Sequence, residues 1–280
     1  MIGAIEILDP GIATTLQDRG RPGFAHLGVP ASGAVDRDLA GVVNRLVGNP
    51  PGATVIETCG GLVISAITHV LVATSAEPGP RSLRPGESCS VPAGSSGRLW
   101  HYLAIRGGIQ VDQVLGSSSR DTLSRLGPPA CQRGDRLEIG SEPSLPIVTD
   151  VAPLPGVTDV IRVTPGPRAD WFPEEWPRLL ATASWTVTTS SRVGVRLHGA
   201  QLGRAVSDEL PSEGLVRGAL QVPPDGDPVM MLADHPTTGG YPVLAVVHPD
   251  DVAAVAQHAA GTSLRFRLYA EPALSGIASG

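Results

Sequence analysis

The first residues that could carry chemistry lie in one glycine-rich segment near the start of the chain, QDRGRPGFAHLGVP (residues 17–30). Connections of this kind carry binding and catalytic side chains more often than regular elements do. Arg21 could bind a carboxylate or a phosphate through its planar fork, and His26 could move a proton near neutral pH. Gln17 is a candidate ligand contact, and Asp18 is a candidate general base. The alternative is a structured turn in which Asp18 and Arg21 pair with each other.

A second candidate is the segment YLAIRGGI (residues 102–109), in which an apolar run ends in Arg-Gly-Gly. Glycine permits a close approach of the backbone to a ligand or to another strand. Arg106, Gly107 and Gly108 are therefore candidate binding residues. The alternative is a β-bulge that carries an exposed arginine.

Two further polar segments lie in the second half of the chain, SEG (212–214) and DHPTTGGYP (234–242). Glu213 and Asp234 are candidate catalytic carboxylates. The second segment lies between two apolar runs and is longer than a plain hairpin turn needs. It offers hydroxyl groups, a phenol and two glycines as candidate ligand contacts: Thr237, Thr238, Gly239, Gly240 and Tyr241. The alternative is that Asp234 caps the turn and the threonines bind local backbone groups.

The composition excludes several classes of chemistry. The chain of 280 residues has 21 basic side chains, and all of them are arginine. Without lysine it has no Walker-type GK[ST] loop, no Schiff-base lysine and no attachment point for covalent biotin. A net charge of −6 and an aromatic content of 4% argue against a nucleic-acid-binding protein, which needs a basic surface and stacking platforms.

Cysteine and histidine usage bounds the compartment and the metal chemistry. The 3 cysteines form no CxxC motif, which indicates free thiols in a reducing compartment. The 7 histidines form neither HExxH nor HxH, so no metal site is predicted. We find no long apolar run and no signal-peptide pattern at the N-terminus. The expected location is therefore the cytoplasm.

The elements that must position these residues are mostly strands. Thirteen short apolar segments bounded by Gly, Pro, Asp or Ser predict a mainly β fold of sandwiches or barrels. They cover residues 4–8, 54–57, 62–65, 69–74, 98–105, 136–139, 160–164, 184–189, 193–197, 219–222, 228–233, 243–247 and 263–268.

A few short helices accompany the strands. Valines and leucines at helical spacing predict a helix over residues 33–47, with Ser32 as its N-cap. A second helix is predicted over 250–260, where two aspartates lie at its N-terminal end. A weaker helical pattern covers 170–180.

The proline-rich segment 141–158 predicts a linker between two domains. The predicted N-terminal domain covers residues 1–145 and contains the glycine-rich segment and the first helix. The predicted C-terminal domain covers residues 146–280 and contains the two later polar segments.

Five motifs, in one order along the chain, carry a resemblance to a known family. The chain resembles the proteins variously called allophanate hydrolase subunit 2, KipA or the C subunit of 5-oxoprolinase, and it is similar to part of the carboxyltransferase region of urea carboxylase. The sequence departs from the family at three positions. His235 stands where the family often has Arg, Ser191 where it often has Asn or Asp, and His198 where it often has Glu. The motifs are QDRGRPGFAHLGVPASGAVD (17–36), NRLVGNPPGATVIE (44–57), YLAIRGGI with VLGSSSRD (102–121), SEGLVRGALQVPPDG (212–226) and LADHPTTGGYP (232–242).

The resemblance implies a fold and partners. The fold would be two cyclophilin-like β-barrel domains, between which chain segments could be exchanged. One partner would be a smaller related subunit of the KipI or allophanate hydrolase subunit 1 type, in a hetero-oligomer. In 5-oxoprolinase a third subunit, of the LamB/YcsF type, would join them.

The activity implied by the resemblance is ATP-dependent hydrolysis of the cyclic amide 5-oxo-L-proline to L-glutamate. ATP would be bound by the complex, and the sequence leaves open by which subunit. For this reaction Arg21 and Arg106 would hold phosphate, and Asp18, Glu213 or Asp234 would act as the base toward water.

Two alternatives stay open at this point. One is a biotin-dependent carboxyltransferase component, in which the backbone of Gly107 and Gly108, together with Thr238 and Gly239, would stabilise a ureido oxygen. Such a chain would receive a carboxyl group from biotin carried elsewhere. The other alternative is a non-catalytic regulator of a kinase inhibitor.

Overall fold

The computed structural model describes residues 3–141, 143, 146–147 and 151–269. Within these residues the chain forms nineteen strands and three short α-helices. The predicted mainly β fold class is therefore confirmed. None of the described helices has the length and apolar character needed to cross a membrane.

The N-terminal half consists of two five-stranded antiparallel sheets and one helix. Its elements are β1 (Ala4–Asp9), β2 (Thr15–Gln17), α1 (Arg37–Leu46), β3 (Val55–Thr58), β4 (Leu62–Ala66), β5 (Val70–Thr74), β6 (Arg81–Leu83), β7 (Ser88–Val91), β8 (His101–Ile105), β9 (Ile109–Gln110) and β10 (Arg136–Ile139). The first sheet has the strand order β7-β4-β1-β10-β9, and the second has the order β2-β3-β8-β5-β6.

One apolar core lies between these two sheets. In β4, burial alternates along the strand, as expected where one face of a sheet covers a core. Ile5 and Ile64 of the first sheet join Ile56 and Leu103 of the second in this core. The helix α1 covers the opposite face of the second sheet, through Leu39 and other apolar residues.

The N-cap of α1 is Asp36, and the prediction of Ser32 was wrong. The Asp36 carboxylate accepts a hydrogen bond from the backbone N–H of Leu39 at 2.9 Å, so the helix begins at Arg37 and not at residue 33. Ser32 has a backbone φ of 54°, and its hydroxyl donates to Asp234 at 2.7 Å instead. The Ser32 side chain therefore binds a carboxylate 202 residues away in the sequence and does not cap the helix.

The C-terminal half is built around a closed seven-stranded barrel. Its elements are β11 (Val160–Pro165), α2 (Trp176–Thr182), β12 (Trp185–Ser190), β13 (Gly194–His198), β14 (Glu213–Gly214), β15 (Ala219–Gln221), β16 (Val229–Met231), β17 (Thr238–Gly239), β18 (Val243–Val247), α3 (Pro249–Ala256) and β19 (Ser263–Leu268). The barrel order is β11-β18-β15-β16-β13-β12-β19, and β14 pairs with β17 in a separate ribbon. Trp185, Leu220, Leu244 and Phe266 are among the residues that fill the barrel.

Each of the thirteen predicted strands overlaps an observed strand, and the strands that the sequence missed have two to four residues each. The helix predicted over 250–260 ends earlier, at Ala256. The pattern over 170–180 divides into a 3₁₀ turn, Ala169–Trp171, and the helix α2, which has a proline in its first turn. The domain boundary at residue 145 stays a prediction, and several residues of the predicted linker lie outside the described ones.

Replacement of the N-cap by Asp36→Ala should destabilise the protein by about 2 kcal/mol, measured as the free energy of unfolding in urea. The substitution removes the bond to Leu39 and a second bond, donated by the Gln257 amide at 2.9 Å. Asp38→Ala is the matched control, because Asp38 is exposed in the first turn of α1, and it should cost under about 1 kcal/mol. Equal losses in the two variants would contradict the assignment of Asp36 as the cap.

Candidate functional site

A buried ionic network joins the two halves of the molecule. Arg192 lies between β12 and β13 and is 3% exposed, while Glu57 of β3 and Asp234 are both fully buried. The Arg192 guanidinium donates to Asp234 at 2.8 and 2.9 Å, to the Gly33 carbonyl at 2.8 Å, and to Glu57. A buried charge is stable only when it is paired and hydrogen-bonded. The three side chains therefore require each other.

The Asp234 carboxylate has no unoccupied oxygen in this network. It also accepts from the Ser32 hydroxyl at 2.7 Å and from the backbone N–H and hydroxyl of Thr122, each at 2.8 Å. Burial alone would raise the pKa of Asp234, but the charge of Arg192 and these hydrogen bonds outweigh it and hold the pKa below its ordinary value. The base role predicted for Asp234 stays a prediction, and its geometry favours a positioning role.

The network extends from Glu57 to the start of α1. The Glu57 carboxylate accepts from the Tyr102 hydroxyl and from the Val35 backbone N–H, both at 2.8 Å. The Tyr102 oxygen in turn accepts from the Asp36 backbone N–H at 2.7 Å. Burial and the neighbouring carboxylates raise the pKa of Tyr102 well above its usual value, so the phenol keeps its proton. These bonds fix the two residues that lead into the helix.

Asp18 holds a loop that contains Ser117, Ser118 and Ser119, here called the serine loop. Its carboxylate accepts from the hydroxyls of Ser117 and Ser119, each at 2.6 Å, and from the backbone N–H groups of Ser118 and Gly20 at 2.8 and 2.7 Å. Burial raises the pKa of Asp18, but the bonds from the serines and from Gly20 lower it further than burial raises it. A carboxylate held ionised in this way is a weak base near neutral pH.

Arg21 lies beneath the same loop. It is 1% exposed, and it donates to the carbonyls of Val114, at 3.2 Å, and Ser119. Among the described residues Arg21 and Asp18 form no ion pair, so the alternative of a direct pair between them was wrong. Both side chains instead hold residues 114–119 in place.

Arg106 and its two glycines lie at the other end of α1. Arg106 donates to the carbonyls of Val47 at 2.8 Å and Pro143 at 3.3 Å. Gly107 has a φ of 95°, and a Cβ there would lie 2.7 Å from the Gly140 carbonyl oxygen. The close approach that the glycines permit is thus made by the chain's own backbone.

Glu213 and the segment 234–241 meet in the ribbon of β14 and β17, where Glu213 pairs with Gly239 and Gly214 with Thr238. Glu213 is half-buried and forms an ion pair with Arg168, which lowers the pKa of the carboxyl. The Thr237 carbonyl accepts from the backbone N–H of Leu215 at 2.9 Å. The two later motifs therefore form one structural unit.

The remaining predicted residues lie in three different surroundings. Gly240 and Tyr241 line a groove of about 540 Å³, where the guanidinium of Arg204 lies 5.8 Å from the centre of the Tyr241 ring. His26 is exposed in a 3₁₀ turn. Gln17 is buried and donates to Thr15 and to the Arg120 carbonyl, each at 2.9 Å. The ligand roles of these residues stay predictions.

A cleft of about 680 Å³ is open between the segment that follows Asp18 and the helix α1. Three arginines line it: Arg19 from the segment, and Arg37 and Arg45 from the helix. None of these arginines was among the residues predicted from the sequence. Glu57 and Arg192 were also missed, because their partners are distant in sequence. Arg37 and Arg45 could have been found from the sequence, because their helical spacing places both on one face of the predicted helix.

A second cavity, of about 640 Å³, lies between the halves and is lined largely by apolar residues that include Trp100 and Cys59. Burial and the charge of Glu57 raise the pKa of Cys59 to about 12, so its thiol is not an activated nucleophile. Within the described part of the chain, no group of three or more His, Cys, Asp or Glu side chains could hold a metal ion.

Comparison with known proteins gives a consistent set of relatives. The family model for the carboxyltransferase domain, subdomain A and B, matches residues 27–268. The C subunit of 5-oxoprolinase from Escherichia coli is 32% identical to this chain, and that from Haemophilus influenzae is 30% identical; each match covers 94% of this chain and 90% of the relative. The crystal structure of Kluyveromyces lactis urea amidolyase matches with a TM-score of 0.86 and 29% identity over 94% of this chain. The chain spans only 18% of that protein.

The substitution Asp234→Asn distinguishes a positioning role of this carboxylate in the buried network from a role as a catalytic base. At pH 7 the substitution should lower the free energy of unfolding by on the order of 3 kcal/mol, because Arg192 loses one of its two buried counter-charges. The difference from wild type should shrink as the pH falls below about 4. A folded-state pKa below the ordinary 3.8 adds stability above that value, and this stability is lost as the carboxylate is protonated.

The control is Asp225→Asn, which removes the partner of Arg196 in an exposed ion pair. It should cost under about 1 kcal/mol. Urea titrations of both variants across pH measure the difference. An unchanged unfolding free energy in Asp234→Asn, with a large loss of turnover in an assembled complex, would support the base role instead.

Proposed function

The chain belongs to the carboxyltransferase domain family, subdomains A and B, and on this premise we propose that it is the C subunit of an ATP-dependent 5-oxoprolinase complex. The observation that carries this proposal is the extent of the match. Nearly all of this chain aligns with nearly all of two bacterial proteins of that name. In the urea amidolyases that match, the corresponding segment is less than a fifth of the protein.

The proposed reaction opens the ring of 5-oxo-L-proline and consumes one ATP. The amide oxygen attacks the γ-phosphorus, and ADP leaves. Water adds to the activated ring carbon, the C–N bond breaks, and the nitrogen takes a proton to become an amine. A second water then cleaves the resulting acyl phosphate to L-glutamate and phosphate. Such a reaction needs cationic groups for the phosphates.

In this chain the cationic groups must be arginines, because the sequence has no lysine. Arg21 and Arg106, which were predicted for this role, donate to backbone carbonyls. The arginines that line the cleft beside α1 are better placed, because the cleft leaves room for a ligand next to them. One of them, Arg37, also donates to a backbone carbonyl, that of Ser32 at 3.1 Å.

The proposal includes two partner chains, a smaller related subunit of the KipI type and a third subunit of the LamB/YcsF type. The two bacterial relatives are named as one lettered subunit of 5-oxoprolinase, which supports an assembly of several chains. In this assembly the chain acts with its partners and is inactive alone.

The second candidate function is that of a carboxyltransferase component, and the close superposition on urea amidolyase favours it. In that function the carboxyl group would arrive on biotin carried by another domain or chain, since this chain has no lysine to carry it. The substrate would then be urea or a related amide, and no glutamate would form.

Reconstitution with a candidate smaller subunit and a candidate third subunit tests the proposal. The full mixture should release glutamate and ADP in equal amounts from 5-oxo-L-proline and ATP, and omission of this chain should reduce glutamate release at least a hundredfold. Coupled enzymatic assays of both products give the measurement. Addition of biotinylated carrier protein, bicarbonate and urea is the control for the second candidate.

Two results would contradict the proposal. One is glutamate release that does not change when this chain is omitted. The other is a stable complex that forms no glutamate but carboxylates urea when the biotinylated carrier is present.

A further inference from the structure

The lining of the cleft beside α1 has more basic than acidic side chains. Arg19, Arg37 and Arg45 line it, together with Asp18 and Asp38. Within the described part of the chain, none of the three guanidiniums lies within ion-pair distance of a carboxylate. This concentration of unpaired arginine is an exception in a chain whose net charge is −6.

A glycine of α1 lies between two of these arginines. Residues 37, 41 and 45 follow each other at intervals of four, so they lie on one face of the helix. Arg37 and Arg45 are about 12 Å apart along the axis, at ~1.5 Å per residue. Gly41 lies between them, and a Cβ at this position would lie 3.4 Å from the Nη1 atom of Arg45.

The third arginine reaches the cleft from the opposite wall. Its stem lies over Gly52, where a Cβ would come within 2.7 Å of the Arg19 Cδ and Nε atoms. A larger residue at position 52 would therefore displace Arg19. The cleft thus has guanidinium groups on two walls, and a glycine lies against the side chain of each of Arg19 and Arg45.

Asp18 and Asp38 offset part of this charge, and Asp18 acts on Arg37 in particular, but among the described residues neither carboxylate accepts a hydrogen bond from an arginine of the cleft. The oxygens of Asp18 accept hydrogen bonds from Gly20 and from the serine loop. A further guanidinium, that of Arg217, lies near Arg37 and donates to the Val35 carbonyl. Burial and then the charge of Arg37 lower the pKa of Arg217 to about 10. An anion in the cleft would relieve this crowding of like charges.

We propose that this cleft binds the polyphosphate chain of a nucleoside triphosphate. The inference rests on the proposed function, which requires ATP, and it assigns the phosphates to this chain of the complex. Guanidiniums spread along one wall and across to the other fit an extended polyanion better than a single carboxylate. The cleft volume of about 680 Å³ is within the range for such ligands.

The test is calorimetric titration of the full chain, alone and in the reconstituted complex. The probes are ATP, sodium tripolyphosphate, adenosine and 5-oxo-L-proline. ATP and tripolyphosphate should bind with dissociation constants within tenfold of each other and with strong salt dependence, and adenosine should not bind measurably. The inference would be overturned if tripolyphosphate bound neither the chain alone nor the reconstituted complex.

The double variant Arg37→Gln/Arg45→Gln should weaken tripolyphosphate binding at least tenfold with little change in melting temperature, because both residues are exposed on the helix and only the hydrogen bond from Arg37 to the Ser32 carbonyl is lost. The matched control is Arg265→Gln/Arg267→Gln, two exposed arginines on β19. Equal weakening by the two pairs would show only non-specific attraction and would overturn the inference.

A second variant blocks the cleft without removal of charge. Gly41→Leu should weaken tripolyphosphate binding at least tenfold, because its side chain would meet Pro51 and the Arg45 Nη1 atom and would displace the Arg45 guanidinium. Unaltered binding in Gly41→Leu would place the anion elsewhere and would contradict the proposal.

The titrations also separate this inference from the proposed function. Binding of tripolyphosphate to the cleft in a complex that forms no glutamate would support the inference and contradict the function. Glutamate release by a complex in which the double variant binds ATP as the wild type does would support the function and contradict the inference. Competition of 5-oxo-L-proline with tripolyphosphate would identify a general carboxylate site and would overturn the assignment to phosphate.

Discussion

A guanidinium is stable in a protein interior only with its counter-charges, and this requirement fixes the relation between the two halves of the molecule. Arg192 comes from the barrel, Glu57 comes from the N-terminal half, and Asp234 follows a barrel strand. Separation of the halves would leave buried charges unpaired, or would expose a surface built to bury them. The network is therefore a positional constraint more than a source of net stability, because the loss of hydration opposes most of the attraction between the charges.

A short chain of hydrogen bonds connects the buried network to the cleft beside α1. Glu57 holds Tyr102, and Tyr102 holds the backbone at Asp36, where α1 begins. The helix then carries Arg37 and Arg45 along one side of the cleft. The charged residues thus have two roles that follow their burial. The buried residues of the network position the secondary-structure elements, and the exposed arginines of the cleft are available to a ligand. Asp18, which lines the cleft, has the same positioning role for the serine loop.

The fold was more predictable from the sequence than the site. Strands are recognisable because their apolar residues recur locally, and the strands that were missed are too short for such a pattern. Site residues depend on partners far away in the sequence: Arg192 and Glu57 are 135 positions apart. The glycines beside Arg106 indicated a close approach, but they did not reveal that the group that approaches Gly107 is the chain's own backbone. By contrast, the spacing of Arg37 and Arg45 around Gly41 is local and could have been read as one helix face.

Calorimetric unfolding of the wild-type chain at neutral pH tests most directly whether the buried network makes one unit of the two halves. We expect a single transition whose calorimetric enthalpy equals the van't Hoff enthalpy, because neither half can unfold without leaving charges of the network unpaired. Two resolved transitions, one for each half, would contradict this account.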